Sequence, residues 1–242
     1  MTLNIADGVE WDCAASTNTG TFTRSSDCTI SGTGNTNDQG GGVDVTGTLE
    51  IVGSSTDMDN LVTISAASKK RHFYVNGAND KLVLRYVKLV GGDVSSYSWP
   101  DNRGGSIYIR NGGELQLYSC IVSNNKSYYS GGGINAYGSS SSTVKVYAEN
   151  SILQGNSAVW GGGGMSVVWA TVTLTSTTFA SNSAARYGGG MDINGDSSDV
   201  TLRQCSFISN TASDEGHAIY TYDSPTIAVI NTYFSDPNDN NN

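Results

Sequence analysis

A bulky apolar residue followed three places later by Asn recurs through the carboxyl two-thirds of the chain: Ile121 with Asn124, Leu153 with Asn156, Phe179 with Asn182, and Phe207 with Asn210. The intervals are 32, 26 and 28 residues. A second marker, a Gly cluster running into an apolar residue, recurs beside it. It stands at Gly104-Gly105-Ser106-Ile107, Gly131-Gly132-Gly133-Ile134, Gly162-Gly163-Gly164-Met165, Gly188-Gly189-Gly190-Met191 and Gly216-His217-Ala218-Ile219, at intervals of 27, 31, 26 and 28. Two markers drifting together at one period identify a solenoid in which each repeat is one coil and extra residues are surface insertions. Leu89 and Phe234 take the place of Phe179 in outlying copies.

Each repeat holds two or three runs that alternate like strands, such as Met165 to Trp169 and Thr171 to Thr175, and such a unit cannot bury its own apolar side. Stacking coils about 4.8 Å apart pairs every strand with its successor and builds one shared interior. The expected fold is therefore all-β, a right-handed parallel β-helix of roughly 27-residue coils with an irregular N-terminal cap. Residues 1–42 are read as the cap and first irregular strands, 43–236 as the coils and 237–242 as a polar tail. Upstream, Gly47 to Val52, Arg71 to Val75 and Lys81 to Leu89 read as strands of irregular coils. Alternation points Ile107, Ile134, Met165, Met191 and Ile219 inward, with Ile109, Ala136, Val167, Ile193 and Thr221 two positions on.

A corner between strands leaves N–H and C=O groups that no strand ladder satisfies, and an Asn amide answers both. Asn124, Asn156, Asn182 and Asn210 are accordingly expected to form an inward ladder. Ala158, Ala184 and Ala212 follow at a tight turn, with Lys126 at that place in a looser first copy. The Gly clusters supply positive φ or close backbone approach. They lack the Lys-Ser/Thr and the helix of a phosphate loop.

The net charge of −9, with 13 basic residues and no basic run beyond Lys69-Lys70-Arg71, argues against nucleic acid as a partner. No apolar stretch approaches the length of a membrane-spanning helix, so membrane insertion is not expected. Met1-Thr2-Leu3-Asn4 lacks the pattern of a signal peptide, and the chain reads as a mature domain of a longer secreted precursor. Cys13 and Cys28 enclose a polar segment that a disulfide could staple. The marker phase places Cys120 one residue before Ile121 and Cys205 two before Phe207, so one is expected inward and one outward. Three coils apart, they are out of disulfide reach of each other.

Phe179-Ala180-Ser181-Asn182 and Phe207-Ile208-Ser209-Asn210, paired with the Gly-Gly-apolar marker, resemble the repeats of polymorphic outer-membrane proteins and the parallel β-helix repeats of many secreted proteins. The resemblance covers about residues 82 to 236, with Ile121 and Leu153 replacing Phe in two copies. It implies a pectin-lyase-like solenoid in an extracellular protein, an adhesin passenger or surface layer, secreted or held at the cell surface. No membrane barrel follows at the carboxyl end of this sequence.

Enzymes of the pectate-lyase type share that scaffold, so chemistry is sought on the outward strand rows. One row runs Tyr108, Asn135, Ser166, Asp192, Tyr220 and the next Arg110, Tyr137, Val168, Asn194, Tyr222. Lyases and hydrolases need clustered carboxylates beside a Lys or Arg, and these rows offer one carboxylate and one distant Arg. No catalytic or cofactor set is assigned, and the expectation is a protein that is not an enzyme. Asp192 with Asp196 and Arg186 comes nearest. Asp192 and Asp196 are calcium candidates, set against an ordinary strand end and turn, and the Asx-rich turns Asp57-Met58-Asp59-Asn60 and Asp236 to Asp239 have the same two readings. His72 and His217 read as structural. Tyr108, Tyr137, Tyr220 and Tyr222 share a face that could stack on sugars, with Tyr129, Trp160 and Tyr187 in the loops before the Gly clusters; rings that merely cover strand edges are the alternative. Asn125-Lys126-Ser127 is a glycosylation sequon.

The functional expectation is a non-catalytic extracellular solenoid: a spacer, adhesin or filament component whose partners are other surface proteins or its own copies stacked head to tail. The first alternative is a carbohydrate-binding or polysaccharide-lyase-like protein using the tyrosine face. The second is an ice-binding surface carried by Thr171, Thr173, Thr175 and Thr177.

Overall fold

The computed structural model describes residues 2–4, 20–24, 28–30, 42–98 and 102–235. Strands and turns account for all regular structure among them, every strand pairing is parallel, and the chain winds as a right-handed β-helix. Parallel strands joined by such crossovers take this hand because a right-twisted strand packs back on its sheet in no other way.

The coil from Met165 shows the plan. Met165–Val168 lies in a first, seven-stranded sheet, Ala170–Thr175 in a second of nine strands, Thr178–Ala180 in a third of eight and Ser183–Ala184 in a fourth of five. The two-residue fourth strand escapes a reading by alternation, being too short to show any. The corners between sheets are sharp. Trp169, Ser176 and Ser181 turn them at φ of 47°, 48° and 53°, and Gly188 turns the last at 58°. Upstream, the run Lys81 to Leu89 is two strands, Lys81–Arg85 and Val87–Val90, separated by Tyr86 at φ 56°. Strands Thr2–Asn4 and Gly20–Arg24 join the second sheet and Cys28–Ile30 joins the third. The proposed Cys13–Cys28 bridge and the tail 237–242 fall outside the described residues.

Pairing places Ile107, Ile134, Met165, Met191 and Ile219 in one file, extended upstream by Phe73, with Ile109, Ala136, Val167, Ile193 and Thr221 in the next. Both files face the core as far as Met191 and Ile193; the last coil is more exposed. In the third sheet Phe179 and Phe207 stack 4.7 Å apart at 6°, and Phe207 stacks on Phe234 at 5.1 Å. Burying Phe179 and Phe207 completely contributes about 2 to 3 kcal/mol each from removal of apolar surface alone.

The first copy of the Asn marker is shifted by one. Val122, not Ile121, pairs with Leu89 and Leu153, and Asn125, not Asn124, enters the ladder. Nδ2 of Asn125 donates to Oδ1 of Asn156 (2.9 Å), Asn156 to Asn182 (3.0 Å) and Asn182 to Asn210 (2.9 Å). Each Oδ1 also accepts the backbone N–H of the Asn before it. Asn124 is instead exposed at φ 55°, a left-handed position that Asn tolerates. Two adjacent apolar residues before two adjacent Asn residues make both alignments legible locally, and burial selects the second.

The same shift corrects two further expectations. Ser127, not Lys126, takes the small-residue place, pairing with Ala158, so this corner is as tight as the others. Cys120 and Cys205 both point inward, each two residues before its marker, and both are buried, free thiols. They share a file with Ser151, Thr177 and Thr232: Ser151 Oγ accepts the N–H of Cys120 and Thr232 Oγ1 that of Cys205. Burial pushes the Cys120 thiol up to about 11, so it is an inert core group.

The Gly clusters divide their labour. The first Gly of each, such as Gly131 and Gly162, sits at φ 67° and 63°, while a Cβ on the second would strike backbone of the neighbouring coil, for Gly163 within 2.4 Å of Ser183 O and 2.5 Å of Gly189 O.

Candidate functional site

The outward side of the first sheet carries the file Tyr74, Tyr108, Asn135, Ser166, Asp192, Tyr220 and, beside it, Arg110, Tyr137, Val168, Asn194, Tyr222. These side chains leave the core by strand alternation, and the corners on either side rise above them. Tyr129, Trp160 and Tyr187, just before the Gly clusters, form one bank. Trp169, turned out at the opposite corner, and Asp223 form the other.

Between the banks lie two adjoining cavities of about 250 and 240 Å³. Trp160, Asp192 and Asn194 line both. The first cavity closes on Tyr187, Tyr220 and Tyr222; the second runs back past Asn135 and Ser166 to Tyr137 and Arg103. The aromatic bank is rigid. Tyr129 and Trp160 stack at 5.4 Å and 6°, with the guanidinium of Arg103 4.7 Å over Tyr129 and that of Arg186 4.2 Å over Trp160. Arg103 also lies 4.3 Å over Tyr137, and Tyr187 stacks on Tyr220 at 4.6 Å. Cation–π contacts of this kind hold a partly desolvated Arg without a carboxylate.

Asn135 is fully buried at the cavity floor, and neither its Nδ2 nor its Oδ1 has a hydrogen-bond partner. A buried amide left with both a donor and an acceptor unmet costs about 1 to 3 kcal/mol for each group unless something completes it. Asp192 is 8% exposed and forms no ion pair. Its carboxyl lies against the bare Cα of Gly161, where a Cβ would come within 2.8 Å of Oδ2. Burial pushes its pKa up to about 7, partly opposed by the hydroxyl of Ser166 on the paired strand.

Of the expected aromatic face, Tyr137, Tyr220 and Tyr222 line the cavities, but Tyr108 does not belong to it. At 2% exposure it is covered by Tyr74, 5.5 Å away, and by Arg71, 5.3 Å over its ring, groups brought in from the preceding coil. Asp196 is exposed in the turn after Asn194, hydrogen bonded to Ser197 and outside the cavity lining shared by Asp192. Among the described residues no three His, Cys, Asp or Glu side chains converge as metal ligands. His72 is buried in the core, its Nδ1 2.9 Å from Ser106 Oγ, and burial lowers its pKa to about 4. His217 Nδ1 accepts the N–H of Ala212. Neither lines the groove. Thr171, Thr173 and Thr175 pair with Asp199, Thr201 and Arg203, so the threonine row does not continue as a flat array onto the next coil; Thr177 points inward.

Sequence reasoning missed Arg103, Trp169 and Asp223. All three occupy corners, where strand alternation carries no information; the signal available for Arg103 and Trp169 was only a bulky residue abutting a Gly turn or an outward strand end.

A family model described as right handed beta helix region matches residues 74–240. The chain belongs to this right-handed β-helix family. No curated protein and no solved structure matches it. The matched span of the β-helix contains every residue that lines the two cavities, from Arg103 to Asp223.

Proposed function

We propose that this β-helix is an extracellular glycan-binding module, an adhesin-type solenoid that lays a carbohydrate chain along the groove of its first sheet. One observation carries the reading: Asn135 keeps both amide groups unmet beneath flat aromatic banks. A sugar answers that combination, since vicinal hydroxyls donate and accept together while its C–H face stacks on rings such as Trp160 and Tyr137. The coil repeat of about 4.8 Å is close to the length of one pyranose unit, so successive floor residues meet successive sugars. The rigid rod of coils supports such a site because each floor side chain is fixed by strand pairing on both sides. Asp192 on the floor and Asp223 on the bank are the carboxylates that line the cavities, and the reading proposed for them is binding and not bond cleavage.

A glycan array probed with the full chain is expected to give discrete hits that Trp160→Ala and Asn135→Ala each reduce by tenfold or more. An array without hits, or hits unchanged in both variants, contradicts the proposal.

A further inference from the structure

Asp192 stands where the two cavities meet, and its surroundings are those of a neutral acid. Tyr187 faces it from the corner before its strand, Trp160 from the equivalent corner one coil earlier, Tyr220 and Tyr222 from the next coil, and Ser166 from the preceding one. The charged and titratable groups around it are Arg186, engaged on the Trp160 ring, Glu215 beyond Tyr220, and Arg103 and Asp223 elsewhere in the adjoining cavity. None forms an ion pair with it. Gly161, paired with Ser130 on one side and Tyr187 on the other, presents bare backbone on that bank, and the carboxyl lies against it.

Resting on the glycan-binding reading, we propose that Asp192 is the specificity-determining donor of the groove, its protonated carboxyl donating a hydrogen bond to an acceptor oxygen of an uncharged sugar, so that glycan binding is switched off by ionisation. A sugar laid across both cavities excludes the remaining water from the carboxyl. It thereby favours the neutral form, which donates one hydrogen bond, over an anion without a cation to pair it. The free protein's shift toward about 7 puts the change within the ordinary range of environments. The sign follows from linkage: a ligand that binds the protonated form loses affinity as pH rises above the free-state pKa, by up to tenfold per unit.

The test uses the full chain on a neutral and acidic glycan array at about pH 5.5 and about pH 8.5, followed by calorimetric titration of the strongest neutral hit with wild type, Asp192→Asn and Asp192→Ala. Wild type is expected to bind about tenfold or more weakly at the higher pH. Asp192→Asn, which keeps a donor that cannot ionise, binds at both pH values with the wild type's low-pH strength; Asp192→Ala binds weakly at both. Thermal unfolding of each variant checks that the fold is kept, and carboxyl carbon NMR of wild type follows the Asp192 titration without ligand. Equal wild-type affinity at both pH values, or an Asp192 carboxyl titrating near 4, overturns the proton switch while leaving the groove assignment intact. Failure of any glycan to bind at either pH overturns both.

Discussion

Asn182 shows how much one side chain supports in a solenoid. Its Oδ1 accepts from Asn156 N and Nδ2, and its Nδ2 donates to Leu153 O and to Asn210. Asn182→Ala leaves the buried N–H of Asn156 and the carbonyl of Leu153 unmet, an expected loss of about 3 kcal/mol in denaturant unfolding. Asn124→Gly, by contrast, replaces an exposed left-handed residue with one that adopts the same φ freely. It is expected to change stability by less than about 0.5 kcal/mol, whereas Asn125→Ala should resemble Asn182→Ala. The pair of neighbouring substitutions fixes the register of that coil by experiment. At the site, Asn135 follows the opposite logic: it contributes no internal bond, and its polarity is retained at a cost to the fold that a ligand would offset.

At the scale of the coil, stability depends on how closely backbones pass at the Gly corners. Gly163→Ala forces a Cβ into two carbonyls of the neighbouring coil and is expected to cost several kcal/mol, about 3 or more, read as a lowered unfolding midpoint. Gly91→Ala, with open space around it but φ 80°, is expected to cost only about 1 kcal/mol. These corners were readable in the sequence because Gly is the one residue that serves both demands, and the strands were readable because Ile107, Ile134, Met165 and Met191 keep their phase. What local pattern could not decide was the first copy of the Asn marker. Taken as Val122 with Asn125, its intervals become 31, 26 and 28, matching the Gly clusters from Gly131 onward, whereas Ile121 with Asn124 gives 32. That coincidence was the available signal. The outward rows were legible for the same reason as the core, being its alternate positions. The burial of Tyr108 was not, because it depends on Arg71 and Tyr74, whose long side chains arrive from another coil.

The molecule as a whole is a rod in which one register sets both interior and groove: the strand pairing that files Met165 over Met191 inside also files Asn135, Ser166 and Asp192 outside. Function on such a scaffold is a matter of which outward row is left concave, and here the corners bearing Trp160 and Trp169 raise the banks. The proposed switch at Asp192 and the binding role of Asn135 both require a glycan lying on that file. The most direct measurement is a nitrogen-15 NMR titration of the full chain with the strongest glycan found on the array. The account predicts that the Asn135 side-chain amide and the Trp160 and Trp169 indole signals shift together and saturably, while the ladder amides of Asn156 and Asn182, facing the core, stay in place. Shifts confined to residues outside the first sheet, or a bound glycan that leaves the Asn135 amide unmoved, would contradict it.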